Sequence, residues 1–176
     1  MTEPFQKLQE IERQCRSSAA LLPGLESHKD DWDGIGFSLG SYKLLSVMNG
    51  VSEILDLPEY TRVPGVKPWM MGIGNVRGSL LPLIDLKNFL IGESVQNIKN
   101  SRVLVTGHAN YHIGLVVDEV LGMRHFTLSE QIYELPEINT SLMPYIKQAF
   151  KRDGEYWPVF SFDILIEDEQ FLHASL

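Results

Sequence analysis

Apolar residues recur with two different periods along this chain, and the period changes near residue 35. In the opening stretch Phe5, Leu8, Ile11, Cys15 and Ala19 stand three or four apart, the spacing of one helical face. Glu3 and Pro4 suit the first turn, where proline gives up an N–H that has no helical partner anyway. Pro23-Gly24 ends the helix, and the polar segment Glu26 to Gly34 reads as a linker. Residues 1–34 are therefore expected to form an N-terminal helix and linker. Periodicity does not choose between a helix packed on the outside of the main domain and one that docks on a partner.

From Ile35 the texture changes to short β-like runs bounded by turn residues. The clearest are Leu44 to Met48, Leu80 to Ile84, Val103 to Thr106, Ile113 to Val117 and Trp157 to Phe162. Gly107-His108-Ala109-Asn110 has turn composition, so Arg102 to Val117 reads as a hairpin. Several short strands at this spacing imply an antiparallel barrel or sandwich.

A weak internal repeat divides the β region. Gly78-Ser79-Leu80-Leu81-Pro82-Leu83-Ile84-Asp85-Leu86 is echoed by Gly154-Glu155-Tyr156-Trp157-Pro158-Val159-Phe160-Ser161-Phe162, at an offset of 76 residues (154 minus 78). Tyr42-Lys43-Leu44 and Tyr111-His112-Ile113 make a second echo in the same order. Two echoes in order predict duplicated β modules. Pro82 and Pro158 each interrupt a strand-like run. Because proline cannot donate to a ladder, each is expected at an edge or a bulge.

The bulk numbers narrow the classes. At 176 residues the chain suits one domain or two small packed halves. A formal charge of −8 argues against a nucleic-acid footprint and against a polybasic membrane anchor. The single cysteine, Cys15, cannot close an internal disulfide and favours a reducing compartment. No apolar run reaches the roughly 20 residues of a membrane span, and no signal peptide opens the chain. A cytoplasmic protein without direct membrane insertion is expected.

Candidate chemistry is sparse. Gly72, Gly74 and Gly78 are spaced Gly-x-Gly-x-x-x-Gly and precede an apolar strand, which is not the dinucleotide fingerprint; turn geometry is their expected role. His108 and His112 stand four apart in a hairpin rather than a helix, with no cysteine or carboxylate in ligand spacing, so no metal site is expected. Asp118 and Glu119 are adjacent on a strand and point to opposite faces, so they do not share a proton-transfer site. Asp118 is expected to end its strand with a backbone hydrogen bond, and Asp85 to cap a short turn from Leu86 to Leu90. No catalytic residue and no cofactor are expected. The stretch Thr61 to Leu90 suits a surface that grips another protein, with Arg77 presented by a bend in Gly74-Asn75-Val76-Arg77-Gly78.

That stretch also carries a resemblance. Gly72, Asn75, Val76, Arg77, Gly78, Pro82, Asp85 and Leu86, flanked by Val51-Ser52-Glu53-Ile54 and Gly114-Leu115-Val116-Val117-Asp118-Glu119-Val120, are similar to the signature of the CheW family. Its members are adaptors that couple chemoreceptors to a histidine kinase. The similarity runs from about Phe37 to Ile166, and Pro64 to Trp69 looks most like the PilI-like branch serving type IV pilus twitching motility. The resemblance implies an all-β fold over residues 35–170: two small five-stranded SH3-like barrels, intertwined and packed together with a groove between them. It implies two partners, the regulatory domain of a CheA-type histidine kinase and the cytoplasmic tip of a methyl-accepting chemoreceptor, and so an association with membrane receptor arrays. Val51, Glu53, Ile54 and Arg77 fall at its receptor-binding groove. Met70, Met71, Gly72 and Ile73 are the candidate kinase face, while Gly74, Asn75, Gly78, Pro82 and Asp85 fill the turn motif. Glu53 and Arg77 are expected to lie near each other. The chain departs from the family at Leu44-Leu45, where members commonly place a glycine after an aromatic residue. No receiver domain is expected after the second module. A self-associating structural protein, a small β-barrel enzyme and a flagellar rather than pilus adaptor are the alternatives.

Overall fold

Twelve strands and three short helices follow one another in the computed structural model, which describes residues 31–97, 99–108, 111–134 and 137–175. The strands are β1 (Asp31–Leu39), β2 (Tyr42–Val47), β3 (Glu53–Asp56), β4 (Tyr60–Thr61), β5 (Met70–Val76), β6 (Ser79–Asp85), β7 (Arg102–His108), β8 (Tyr111–Val117), β9 (Glu119–Thr127), β10 (Gln131–Ile132), β11 (Ile146–Arg152) and β12 (Glu155–Phe160). Helix α1 (Leu86–Ile91) follows β6, and α2 (Phe162–Glu167) and α3 (Glu169–Leu172) follow β12. The expected N-terminal helix and Cys15 lie outside the described residues. β1 begins inside the stretch read as linker, because Trp32 packs its ring at 4.8 Å from that of Phe150 and 6.3 Å from that of Phe126.

The strands form two six-stranded sheets, ordered β10-β11-β12-β2-β1-β9 and β3-β7-β8-β6-β5-β4. The fold is mostly β, in two sheet-built halves. Six strands stand in each where five were expected; the two-residue strands β4 and β10, too short to show a period, are counted among them. If β1–β6 and β7–β12 are the two repeats, each sheet takes two strands from one repeat and four from the other. The repeats are intertwined through parallel contacts, β6 on β8 and β12 on β2.

The echoes in the sequence are echoes in the backbone. A register break lies between Met70 and Gly72 in β5 and again between Ile146 and Gln148 in β11, 76 residues on. Asp85 N–H donates to the carbonyl of Trp69 and Ser161 N–H to that of Tyr145, each at 2.8 Å. Asp85 caps α1 by accepting from Asn88 N–H, and Ser161 caps α2 by accepting from Ile164 N–H, satisfying donors that have no helical partner. The second echo holds as well: Leu83 of β6 faces Gly114 of β8, and its equivalent Val159 faces Leu45, 69 residues before Gly114.

Pro82 and Pro158 do not sit on edge strands, since β6 and β12 are both interior. The parallel contact with the neighbouring strand starts one residue later, at Leu83 and at Val159. Each proline therefore stands just outside the shared ladder, where a missing N–H costs no bond.

The described residues form three apolar clusters. Leu45, Phe126, Phe150, Trp157 and Val159 belong to the first sheet, and Leu81, Leu83, Val103, Val105 and Val116 to the second. The largest, including Phe37, Leu44, Trp69, Leu86, Leu104, Leu115 and Phe160, draws on both sheets and joins them. Leu44 and Leu45, the departure from the family pattern, are both fully buried. They divide between two clusters because successive strand residues point to opposite faces.

Candidate partner-binding groove

The site starts from a two-residue turn. Val76 and Ser79 pair across the β5–β6 hairpin, and the two residues between them, Arg77 and Gly78, have φ of 52° and 85°. Positive φ at both positions is the type I′ pattern, whose twist matches that of the strands. The side-chain oxygen of Asn75 accepts the Gly78 N–H at 2.9 Å. Glycine suits this turn; arginine does not, since a left-handed conformation costs a residue with a Cβ about 1–2 kcal/mol. Strain of that kind collects where a side chain has to be aimed.

Arg77 is aimed at Glu53. Its Nη2 lies 2.5 Å from Glu53 Oε1, with 77% of the arginine side chain exposed. In the sheet order β3 and β5 are separated by β7, β8 and β6, so the ion pair bridges across a curled sheet rather than between neighbouring strands. A groove of about 520 Å³ runs under it, lined by Glu53 and Leu55 of β3, Val76 and Arg77, Ser79 to Pro82 of β6, Val105 and His112. Leu80 is 74% exposed. The result is an apolar trough with one ion pair across it. As an exposed pair, Glu53 and Arg77 add only about 0–1 kcal/mol to folding.

The structure brings Glu53 and Arg77 together and leaves Val51 and Ile54 off this groove. Ile54 points to the other face of β3, where it is exposed, and Val51 packs against the inter-sheet cluster. Alternation along a strand separates Glu53 from Ile54. Leu55, Leu80, Val105 and His112 complete the lining at positions that the sequence does not mark as part of a groove. The period of two through Leu80 and Pro82 would have found part of that lining.

Met70 to Ile73 form a second region. The register break at Met70 and Gly72 re-aims neighbouring side chains. Met70 reaches the inter-sheet cluster and Met71 the cluster of the second sheet, both half-buried. Gly72 is buried with φ of 151°, and a Cβ there would stand 2.3 Å from the Thr61 carbonyl oxygen. A Cβ on Gly74 would meet Pro58 at 3.0 Å. Ile73 pairs with Pro82 on one side and Thr61 on the other.

Asp85 and Asp118 are committed to structure. Asp85 is buried and accepts from Asn88 N–H at 2.9 Å and Val95 N–H at 3.0 Å; burial pushes its carboxyl above the ordinary range despite those bonds. Asp118 accepts from Gly40 N–H at 2.5 Å and lies 3.8 Å from the buried Lys87 ammonium, while Glu119 is exposed on β9. His112 faces the groove, and among the described residues no three His, Cys, Asp or Glu side chains are placed to hold a metal ion. Among those residues no helix is long and apolar enough to cross a membrane.

The family description "CheW-like domain" matches residues 33–170. The chain belongs to the CheW-like family. It is 42% identical over 173 residues to protein PilI of Pseudomonas aeruginosa, covering 98% of this chain and 97% of that one. It is 36% identical to the chemotaxis protein CheW of Bacillus subtilis over 62% of this chain and 70% of that one. Among solved structures, the scaffolding protein TtCheW of Thermoanaerobacter tengcongensis superposes with a TM-score of 0.66 at 24% identity, over 78% of this chain and 94% of that one. That likeness establishes the CheW-like fold.

Proposed function

We propose that this chemotaxis adaptor is non-catalytic, couples a chemoreceptor to a CheA-type histidine kinase, and acts in the control of type IV pilus motility. Near full-length similarity to PilI supports the pilus branch. The observation that carries the adaptor reading is the Glu53–Arg77 pair held across an apolar groove by a strained turn. A trough with apolar walls and a fixed charge pair accepts the apolar face of an amphipathic helix, here the cytoplasmic tip of a receptor. The Met70–Ile73 region, on the strand that leads into the hairpin, is left for the kinase regulatory domain. Holding both partners at once raises the effective concentration of each for the other. Commitment of Asp85 and Asp118 to backbone donors supports the absence of acid–base chemistry. The protein acts in the cytoplasm, beside receptor arrays.

Calorimetric titration of the wild type and Arg77→Glu with each partner tests this reading. Arg77→Glu is expected to melt like the wild type and to weaken receptor-tip binding by about 2–5 kcal/mol, the range for truncating one member of a desolvated charge pair. Kinase-domain affinity is expected to stay unchanged. Loss of the fold, or unchanged receptor binding, contradicts the role given to Arg77.

A further inference from the structure

Beside the proposed kinase face lies a pocket of about 340 Å³ that the groove does not explain. It opens between the segment 57–71 on one side and Ser94, Val95 and Ser101 on the other, with Met70, Met71 and Val116 among its apolar lining and Arg62 and Lys67 as its cations. Val116 and Asp85 are buried at its inner end, whereas Arg62 is exposed and Lys67 half-buried. Among the described residues neither cation makes an ion pair, although this chain carries a net charge of −8. Asp85 is the acidic residue lining the pocket, and its two oxygens are already engaged by Asn88 and Val95 N–H. The cationic rim is also held in place: Lys67 N–H donates to the Ala174 carbonyl at 2.8 Å, and Val66 bridges to Ser175.

We infer that this pocket docks a partner-protein segment that inserts one apolar side chain onto Met70 and Met71 and sets a neighbouring carboxylate against Arg62 and Lys67. The inference rests on the reading of Met70 to Ile73 as the kinase face and names the chemistry of that contact. The cavity is sized for one or two side chains. Its apolar wall gives an anchor, and the rim cations, unpaired among the described residues, supply the sign of charge that an acidic segment complements. Rim charges of this kind act on association rate and register more than on burial, and their contribution fades as salt screens them.

The test is titration of the kinase regulatory domain into wild type, Arg62→Glu/Lys67→Glu, and a control with two reversed charges on β11, Lys147→Glu/Lys151→Glu, at low and high salt. Thermal melting of each variant checks the fold. The pocket variant is expected to lose at least about tenfold in affinity at low salt, with a flatter salt dependence than wild type. The β11 control is expected to bind like wild type. If the pocket variant binds as tightly as wild type, or if the control loses as much, the pocket inference is wrong while the adaptor reading stands. If wild type does not bind at all, both fall together.

Discussion

The two hairpins that close the repeats have the same backbone and opposite chemistry. Arg77-Gly78 joins β5 to β6 and Asp153-Gly154 joins β11 to β12, with φ of 52° and 85° in the first and 52° and 81° in the second. The register breaks, the caps and the backbone bonds that follow coincide as well. Yet the first turn carries a cation that reaches Glu53 over an apolar groove, and the second carries an anion. The interiors differ in the same manner. Leu81 and Gly74 of the second sheet stand where the first has Trp157 and Phe150, so one half is packed with aliphatic residues and the other with stacked aromatic rings, Phe126 and Phe150 at 4.9 Å. Turn geometry and capping are shared by the two halves, and the side chains at equivalent positions are what differ.

The largest effect that would separate the halves is steric. Gly72→Ala pushes a Cβ into the Thr61 carbonyl and forces an L-residue to φ of 151°, at a cost of about 3 kcal/mol in strain and overpacking. The equivalent position in the other repeat is Gln148, which has no positive φ, and Gln148→Ala is expected to change stability by less than about 1 kcal/mol. Denaturant unfolding of both variants measures the difference. Equal losses would show that the two register breaks impose the same backbone.

A smaller effect sets stability against binding. Asparagine suits the first position of a type I′ turn, so Arg77→Asn relieves about 1 kcal/mol of left-handed strain and gives up the 0–1 kcal/mol of an exposed ion pair. Its melting temperature is expected to stay level or rise slightly while receptor-tip affinity falls. Asp153→Asn is expected to gain a few tenths of a kcal/mol at most, because aspartate already tolerates that conformation, and to leave receptor binding intact. Parallel melting and titration of the two variants would sink the idea if both lost binding.

The smallest difference appears in acid. Glu130 accepts two hydrogen bonds at 2.5 Å from the Arg152 guanidinium, which with the Thr127 N–H hold its carboxyl at about 2, below the ordinary 4.5. A depressed carboxyl pKa contributes stability that is present above the ordinary value and is lost as pH falls towards the folded one. Stability from this pair should therefore fade between pH 4.5 and about 2, and Glu130→Gln should flatten that part of the unfolding curve. The first repeat has Glu59 and Val76 at the equivalent places and makes no such pair among the described residues.

Much of this was legible in the chain, for reasons that differ by element. The runs from Leu80 to Ile84 and from Ile113 to Val117 announced strands because their apolar residues are continuous and bounded by turn chemistry. The repeat showed because Gly-x-x-x-Pro marks a turn and a ladder end that tolerate few other residues. Asp85 was readable as a cap from its place before a short apolar helix. Two-residue strands such as Tyr60–Thr61 carry no period, and the exchange of β1–β2 with β7–β8 between sheets leaves no periodic trace. In the groove, the charged pair came through the family resemblance alone, since nothing in Glu53 or Arg77 states that a curled sheet brings them to 2.5 Å. Val51 and Ile54 come to the groove through the same resemblance; in the structure Ile54 lies on the opposite face of β3 and Val51 packs against the inter-sheet cluster. Leu80 and His112 are legible as strand residues but not as groove lining, because exposed residues on a strand look alike until the curvature is known.

The most direct test of the central claim, that one small scaffold holds two partners on separate faces, is sedimentation velocity on a mixture of this protein, the kinase regulatory domain and the receptor tip. A faster species containing all three is expected, absent when the adaptor is left out and reduced to an adaptor–kinase complex by Arg77→Glu. Two binary complexes that compete with each other, or a mixture in which Arg77→Glu removes the kinase as well, would contradict it.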